Sequence, residues 1–273
     1  MLKYNHNYHS HTQFCDGHAP MEAMAAAARE AGMEVWGFSP HSPLPIPSPC
    51  NMAREDVEPY LREAERLRRL HAPDMRILTG MEIDRLDSRW GPHIDYFADL
   101  PLDYRIGSVH FVATQSGELI DCDGSAPRFA RNLHDHFRDD LRYVIDSYFN
   151  SVKEMIDRGG FDIVGHIDKI AGNACAVKEG VEMEDWFMSH VQETLGMAME
   201  GGLTVEINIK AEGRIFPAPH WWGSLRGYDS TTLTTPSGLI LPGVVISSDT
   251  HWPDRLKTDL ARSIASSFPD FNK

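Results

Sequence analysis

Residues 8–17 read YHSHTQFCDG, with His9 and His11 on alternate positions and Asp16 five residues beyond the second. In an extended segment alternate side chains point to the same side, so the two imidazoles address one point. Imidazole and carboxylate together suit zinc, iron or manganese. A lone HxH is as readily two unrelated surface histidines, so the reading turns on whether other ligand-type residues reach that point. The candidates are His41 in GFSPHSP, Glu82 in GMEID, His110 in GSVH, His166 in GHID, and Asp249 and His251 in SDTH.

Something must position them. The chain alternates short β-type runs with helical stretches, without internal repeats or linkers. Strands are expected at 3–10, 34–39, 75–83, 103–111, 161–167, 203–209 and 241–251. Helices are expected at 20–31, 54–71, through a long region 126–158, at 183–200, and in a last stretch to about 267. Met21, Met24 and Met33 follow the apolar face of the first helix and read as core. Seven strands alternating with helices predict a parallel sheet, and the regular count favours a closed or nearly closed α/β barrel. On this map His9 and His11 close the first strand, His41 the second, Glu82 the third, His110 the fourth, and His166 the fifth. Asp249 and His251 close the seventh, and Asp16 lies on the first loop. Scattered histidines would fall equally on strand starts and helix faces; these gather where barrel strands converge on one mouth.

The formal charge is −14, from 26 basic and 40 acidic residues, and no basic stripe of the kind that grips phosphate backbones is visible. Nucleic acid is therefore not an expected partner. No apolar run reaches the roughly 18 residues of a membrane span, and the N-terminal MLKYNHNYHSH lacks a signal-peptide core. Cys15, Cys50, Cys122 and Cys175 show no CxxC spacing, so free thiols in a soluble cytoplasmic protein are expected. Oligomeric state is not readable.

HxH with CDG, then GFSPHSP, GMEID, GSVH, GHID, EIN and SDTH, in this order, resemble the polymerase and histidinol phosphatase (PHP) family of metallophosphoesterases from about residue 8 to 255. GRIFPAP, residues 213–219, is similar to the histidinol-phosphatase branch. The resemblance implies a distorted (β/α)7 barrel, one domain over 1–273, with two or three divalent transition metals (zinc, iron or manganese). By resemblance His9, His11, Glu82 and Asp249 hold one metal. Glu82 bridges to a second, completed by His110 and His166, while Asp16, His41 and His251 hold a third. A bridging carboxylate suits two cations roughly 3.5–4 Å apart. One departure is Pro40, where many relatives carry an acidic or small residue before the strand-two histidine.

Metals at such a mouth activate water as nucleophile and draw charge from phosphoryl oxygens, so no Ser or Cys nucleophile is needed. Glu82, Asp249 and His251 are the catalytic candidates, the last two also as leaving-group acids if not committed to metal. Lys169, Lys210 and Arg214 are expected to contact phosphate, with Asn208 as a neutral donor. His18 is an alternative to Asp16. His93 reads as a helix-start residue, His134 and His136 as solvated. His220, with Trp221 and Trp222, reads either as mouth lining or as a self-packed loop. Residues 227–238 read as an exposed loop or lid. The expected activity is hydrolysis of a small phosphate ester, L-histidinol phosphate. The competing readings are a phosphodiesterase or nuclease of the same family, acting on nucleotides or another ester, and a non-catalytic metal-stabilised module. An amidohydrolase would more usually bridge its metals with a lysine.

Overall fold

The structure is a computed structural model and describes residues 2–268. In chain order the first half contains β1 (His6–Asn7), α1 (Met21–Glu30), β2 (Val35–Phe38), α2 (Val57–His71), β3 (Arg76–Thr79), β4 (Glu82–Asp84), α3 (Asp95–Ala98), β5 (Ile106–Ser108), β6 (Phe111–Ala113), β7 (Leu119–Asp121) and α4 (Ala126–Phe137). The second half contains α5 (Leu141–Arg158), β8 (Ile163–Val164), α6 (Ile170–Val177), α7 (Asp185–Glu200), β9 (Thr204–Asn208), α8 (Trp222–Leu225), β10 (Thr232–Thr234), β11 (Ile240–Pro242), β12 (Val244–Ser247) and α9 (Thr258–Ser267).

Parallel strands form two sheets, β1-β2-β3 and β12-β9-β8-β5-β4. They meet through two single parallel bridges, His41 with Glu82 and Ser10 with Thr250. The hydrogen-bonded ladder is therefore not continuous, and the closed barrel anticipated from strand alternation is not formed among the described residues. Side chains replace ladder bonds at the seam between β1 and β12: Asn7 Oδ1 accepts from Ser248 N at 2.7 Å and from the Ser248 hydroxyl at 3.0 Å. The other break lies inside the expected strand 75–83. Its first half pairs with β2 and its second with β5, across Gly80 and Met81. A Cβ at Gly80 would fall 2.4 Å from Tyr104 Cζ, so only glycine lets this turn pass the buried ring.

Helices cover the outer faces. The Ala-rich α1 and the amphipathic α2 bury Met21, Met24, Tyr60 and Leu67 with Trp36 and Phe38 of β2, and Met33 joins them. α5 and α7 bury Val144, Phe149, Val152, Val191 and Leu195 in one cluster with Val164, Val205 and Ile246. Tyr8, Leu78, Tyr104, Ile106, Ile163, Leu241 and Val245 form a third core. The expected long helix 126–158 is instead two, because Arg138 and Asp139 turn left-handed (φ 55° and 62°) and Asp140 caps α5 by accepting from Tyr143 N at 2.9 Å. The short α6 and the antiparallel pairs β6–β7 and β10–β11 were not anticipated. Residues 227–238 are no lid. Thr235 and Ser237 hydroxyls donate to Asp103 O and Tyr228 donates to Leu203 O, which ties this segment to the entry ends of β5 and β9.

Candidate metal centre

At the exit ends of the parallel strands the side chains of His9, His11, His41, Glu82, His110, His166 and Asp249 come together, all buried. Glu82 is the hub. Its Oε2 lies 3.0 Å from His9 Nε2, 3.0 Å from His41 Nδ1 and 3.5 Å from His11 Nε2. Its Oε1 lies 2.9 Å from His166 Nε2 and 3.5 Å from His110 Nε2, and accepts from the Ser108 hydroxyl at 2.7 Å. Asp249 Oδ1 lies 3.0 Å from His11 Nε2 and 3.8 Å from His9 Nε2. Asp16, on the first loop, reaches His251 Nε2 at 3.2 Å, His11 Nδ1 at 3.6 Å and His41 Nε2 at 3.8 Å. The CDG turn aims it there: a Cβ at Gly17 would fall 2.2 Å from Thr12 N, so glycine is needed for the close return. Pro40 leaves His41 in the cluster, its carbonyl accepting from Glu82 N at 3.1 Å.

Eight ligand-type atoms here are buried without a hydrogen-bond partner: His9 Nε2, His11 Nε2, His41 Nδ1, His110 Nε2, His166 Nδ1, Asp16 Oδ1, Glu82 Oε2 and Asp249 Oδ1. Such atoms are costly to bury unpaired, and several face one another at about 3 Å without hydrogen-bond alignment. That is the arrangement expected where lone pairs point at shared cations. Grouped by mutual reach, the donors fall into His9–His11–Asp249, Glu82–His110–His166 and His11–Asp16–His41–His251. A fourth grouping, His41–Asp84–His110, competes with the second.

The electrostatics suit ligation. Burial and neighbouring histidines push His11 below the usual imidazole range, and burial also lowers His41 and His166, so these favour the neutral, ligating form. Burial opposes charge on Glu82 and Asp249, but surrounding imidazoles and Lys210 hold both well below the carboxylate range. His9 and His110 go the other way: burial works against their charge, yet Glu206, Glu82 and Asp249 hold His9 well above the usual imidazole range, and Asp84 and Glu82 raise His110 to about 9. His166 and Asp249 sit at φ 26° and 47°, backbone strain of a kind concentrated at functional sites.

A PHP domain profile matches residues 7–210, well over half of the chain. The chain belongs to the PHP family. Within 124 residues it is 34% identical to the histidinol-phosphatase of Bacillus subtilis, over 41% of this chain and 46% of the relative. Within 190 residues it is 26% identical to the histidinol-phosphatase of Saccharomyces cerevisiae, over 60% of this chain and 54% of the relative. The chain thus spans about half the length of the curated relatives it matches. A proposed histidinol phosphatase from Listeria monocytogenes superposes with a TM-score of 0.75 at 20% identity, covering 92% of this chain and 97% of the other. Histidinol phosphate phosphatase from Lactococcus lactis, in complex with zinc, L-histidinol and phosphate, superposes with a TM-score of 0.59 at 17% identity, covering 96% and 92%. At these identities the likeness is one of fold.

Around this PHP centre the other expected site residues divide. Lys210 Nζ lies 3.4 Å from both Asp249 Oδ1 and His251 Nε2, and Lys169 Nζ lies 3.0 Å from Asp123 Oδ2. Arg214 is engaged by Glu182 instead of pointing free into the mouth. Asn208 is no free phosphate donor: its Nδ2 donates to Glu206 and Asp249 at 3.1 Å each, using both N–H groups. His18 stacks on Trp252 with ring centroids 4.0 Å apart, whereas Asp16 is the one that reaches the histidine group, 3.2 Å from His251 Nε2. His93 lies 3.2 Å from Ser88 O, and exposed His134 pairs with Asp139. The 213–222 segment packs on its own aromatics, with exposed His220 against Trp221 and Trp222 Nε1 donating to Pro217 O.

Two buried carboxylates escaped the sequence reading. Asp84 Oδ1 lies 2.6 Å from His110 Nδ1, and Glu206 Oε1 lies 2.8 Å from His9 Nδ1. Each sits two residues from a site residue on the same strand, Glu82 and Asn208 respectively. The period-two spacing was the available signal.

Proposed function

We propose that the chain is a metal-dependent phosphomonoesterase that hydrolyses L-histidinol phosphate to L-histidinol and phosphate. The observation that carries this reading is the convergence of unpartnered, buried imidazole and carboxylate atoms at one strand-end mouth. The names of the curated relatives and the contents of the Lactococcus lactis complex support the substrate. In this reading His9, His11, Glu82 and Asp249 hold one metal, Glu82 bridges to a second on His110 and His166, and Asp16, His41 and His251 hold a third. The metals are zinc, iron or manganese. The proposed frame is a single domain, a distorted (β/α)7 barrel, supported by the two bridges joining the sheets and by the near-complete structural superpositions.

When bound, the metals supply Lewis acidity for water activation and for neutralising phosphoryl charge. The chain's own cations flank the mouth. Burial opposes charge on Lys169, but Asp123, Asp249 and Glu82 outweigh it and hold the ammonium above the usual lysine range. Lys169 is thereby kept charged to receive the phosphoryl oxygens, Lys210 stands 3.4 Å from Asp249 Oδ1 at the same mouth, and Arg214 is in reserve behind its pairing with Glu182. Lys210→Ala and Lys169→Ala are each expected to lower kcat/KM by about ten- to a hundredfold, the scale of a charged hydrogen bond. Unchanged kinetics in both would move the anion site elsewhere.

The substrate's ammonium and titratable imidazole are attracted by a chain of net charge −14, whereas a nucleotide brings only further negative charge. The deciding experiment compares kcat/KM for histidinol phosphate with p-nitrophenyl phosphate, a nucleoside monophosphate and a short single-stranded oligonucleotide. Histidinol phosphate is expected to lead. A nucleotide or oligonucleotide ahead by about tenfold or more would replace the assignment with a phosphodiesterase or nucleotide phosphatase.

A further inference from the structure

Glu206 is fully buried on β9 and lies outside the ligand set proposed above. Three donors converge on its carboxylate. Oε1 lies 2.8 Å from His9 Nδ1, while Oε2 accepts from the backbone N–H of His166 at 2.9 Å and from Asn208 Nδ2 at 3.1 Å. Asn208 passes its second N–H to Asp249 Oδ2 at 3.1 Å, and its Oδ1 accepts from Lys210 N at 3.0 Å. One carboxylate thus reaches site residues from three strand ends, and the two at positive φ, His166 and Asp249, are tied to it directly or through Asn208.

We infer that Glu206 is a positioning residue that fixes which nitrogen His9 offers to the metal site. As acceptor at Nδ1 it keeps the imidazole proton there. Nε2, 3.0 Å from Glu82 Oε2 and 3.8 Å from Asp249 Oδ1, is then free to ligate. The inference rests on the ligand set above and makes a distinctive claim about glutamine at this position. An amide has one acceptor oxygen and must turn its N–H toward one of the three donors. The His166 backbone N–H cannot become an acceptor, and Asn208 is held on its oxygen side by Lys210 N–H. Only His9 can yield, by carrying its proton on Nε2, and that blocks the ligand position. Glu206→Gln therefore damages the metal position built on His9, His11 and Asp249. It spares the one on His110, whose Nδ1 is served by Asp84.

The test is a cobalt(II) titration, read by its visible absorption, of metal-free parent, Glu206→Gln, His9→Ala and the double variant. Glu206→Gln is expected to weaken one cobalt-binding step by about ten- to a hundredfold and leave another within about threefold. In the His9→Ala background the same change is expected to add less than about threefold, because the amide N–H then faces the vacated space. Equal costs in both backgrounds, or no cost in the parent, would overturn the role of Glu206 while leaving the metal site standing. A parent that takes up no cobalt would overturn the ligand set and the inference together. If Glu206→Gln alone does not fold, the double variant is expected to recover the parent's circular dichroism spectrum; failure of both to fold would count against the inference.

Discussion

Glu82→Ala is expected to reduce kcat/KM by on the order of a thousandfold or more while leaving the far-ultraviolet circular dichroism spectrum close to that of the parent. Five imidazoles lie within 3.5 Å of this one carboxylate, so its removal strips the central anion from every proposed metal position except that of Asp16, His41 and His251. Losing a group that only orients a ligand costs about ten- to a hundredfold. Losing the shared ligand should cost more, since two cations then repel without an intervening charge. Asp16→Ala is the internal comparison. Its side chain is 28% exposed and, in the proposed ligand set, holds only the third metal, so a milder loss, below about a hundredfold, is expected. Activity of Glu82→Ala within tenfold of the parent would remove the bridge from the mechanism.

Stripping the metals is expected to abolish turnover and to lower Tm, with both restored by adding zinc, manganese or ferrous iron. A ligand present at about a hundred times its Kd stabilises the folded state by roughly 2.7 kcal/mol per site. For a chain of this size that is about 5–10 °C in Tm. The pH dependence follows from His110 and His9. In the metal-free centre the pKa of His110 is raised to about 9 and that of His9, despite burial, is raised well above the usual imidazole range by Glu206, Glu82 and Asp249, so at neutral pH a metal must displace protons to bind. Affinity should therefore rise with pH from neutrality through about 9, with proton release on binding measurable at neutral pH. Full activity in metal-free protein would end the metallophosphoesterase reading, whatever the effect on Tm.

The convergence itself was legible in the chain. His9 and His11 face one way because extended backbone alternates its side chains. His41, Glu82, His110, His166 and Asp249 close β-type runs separated by helical ones, and parallel strands bring such ends together. Local periodicity and order along the chain are enough to determine a common mouth, though not ligation, which remains the proposal tested above. The apolar face carrying Met21, Met24 and Met33 was equally readable, since a 3.6-residue period needs only neighbours in sequence.

Partnership was not legible. His9 and Glu206 lie 197 positions apart, and nothing local to either states that they meet at 2.8 Å. For the same reason Asn208 reads as a free donor and Arg214 as a free cation until Glu206, Asp249 and Glu182 are seen to engage them. The division of residues 75–83 between two sheets depends on Tyr104 filling the space beside Gly80, a steric fact supplied by a residue more than twenty positions away, just ahead of β5. Residues 227–238 could be placed as loop or lid by composition; only their hydrogen bonds to Asp103 and Leu203 put them at the opposite end of the strands. Which side a residue faces is set by backbone period and is written in the sequence. Which group it faces is set by packing and hydrogen bonding between distant segments, and only the tertiary structure decides it.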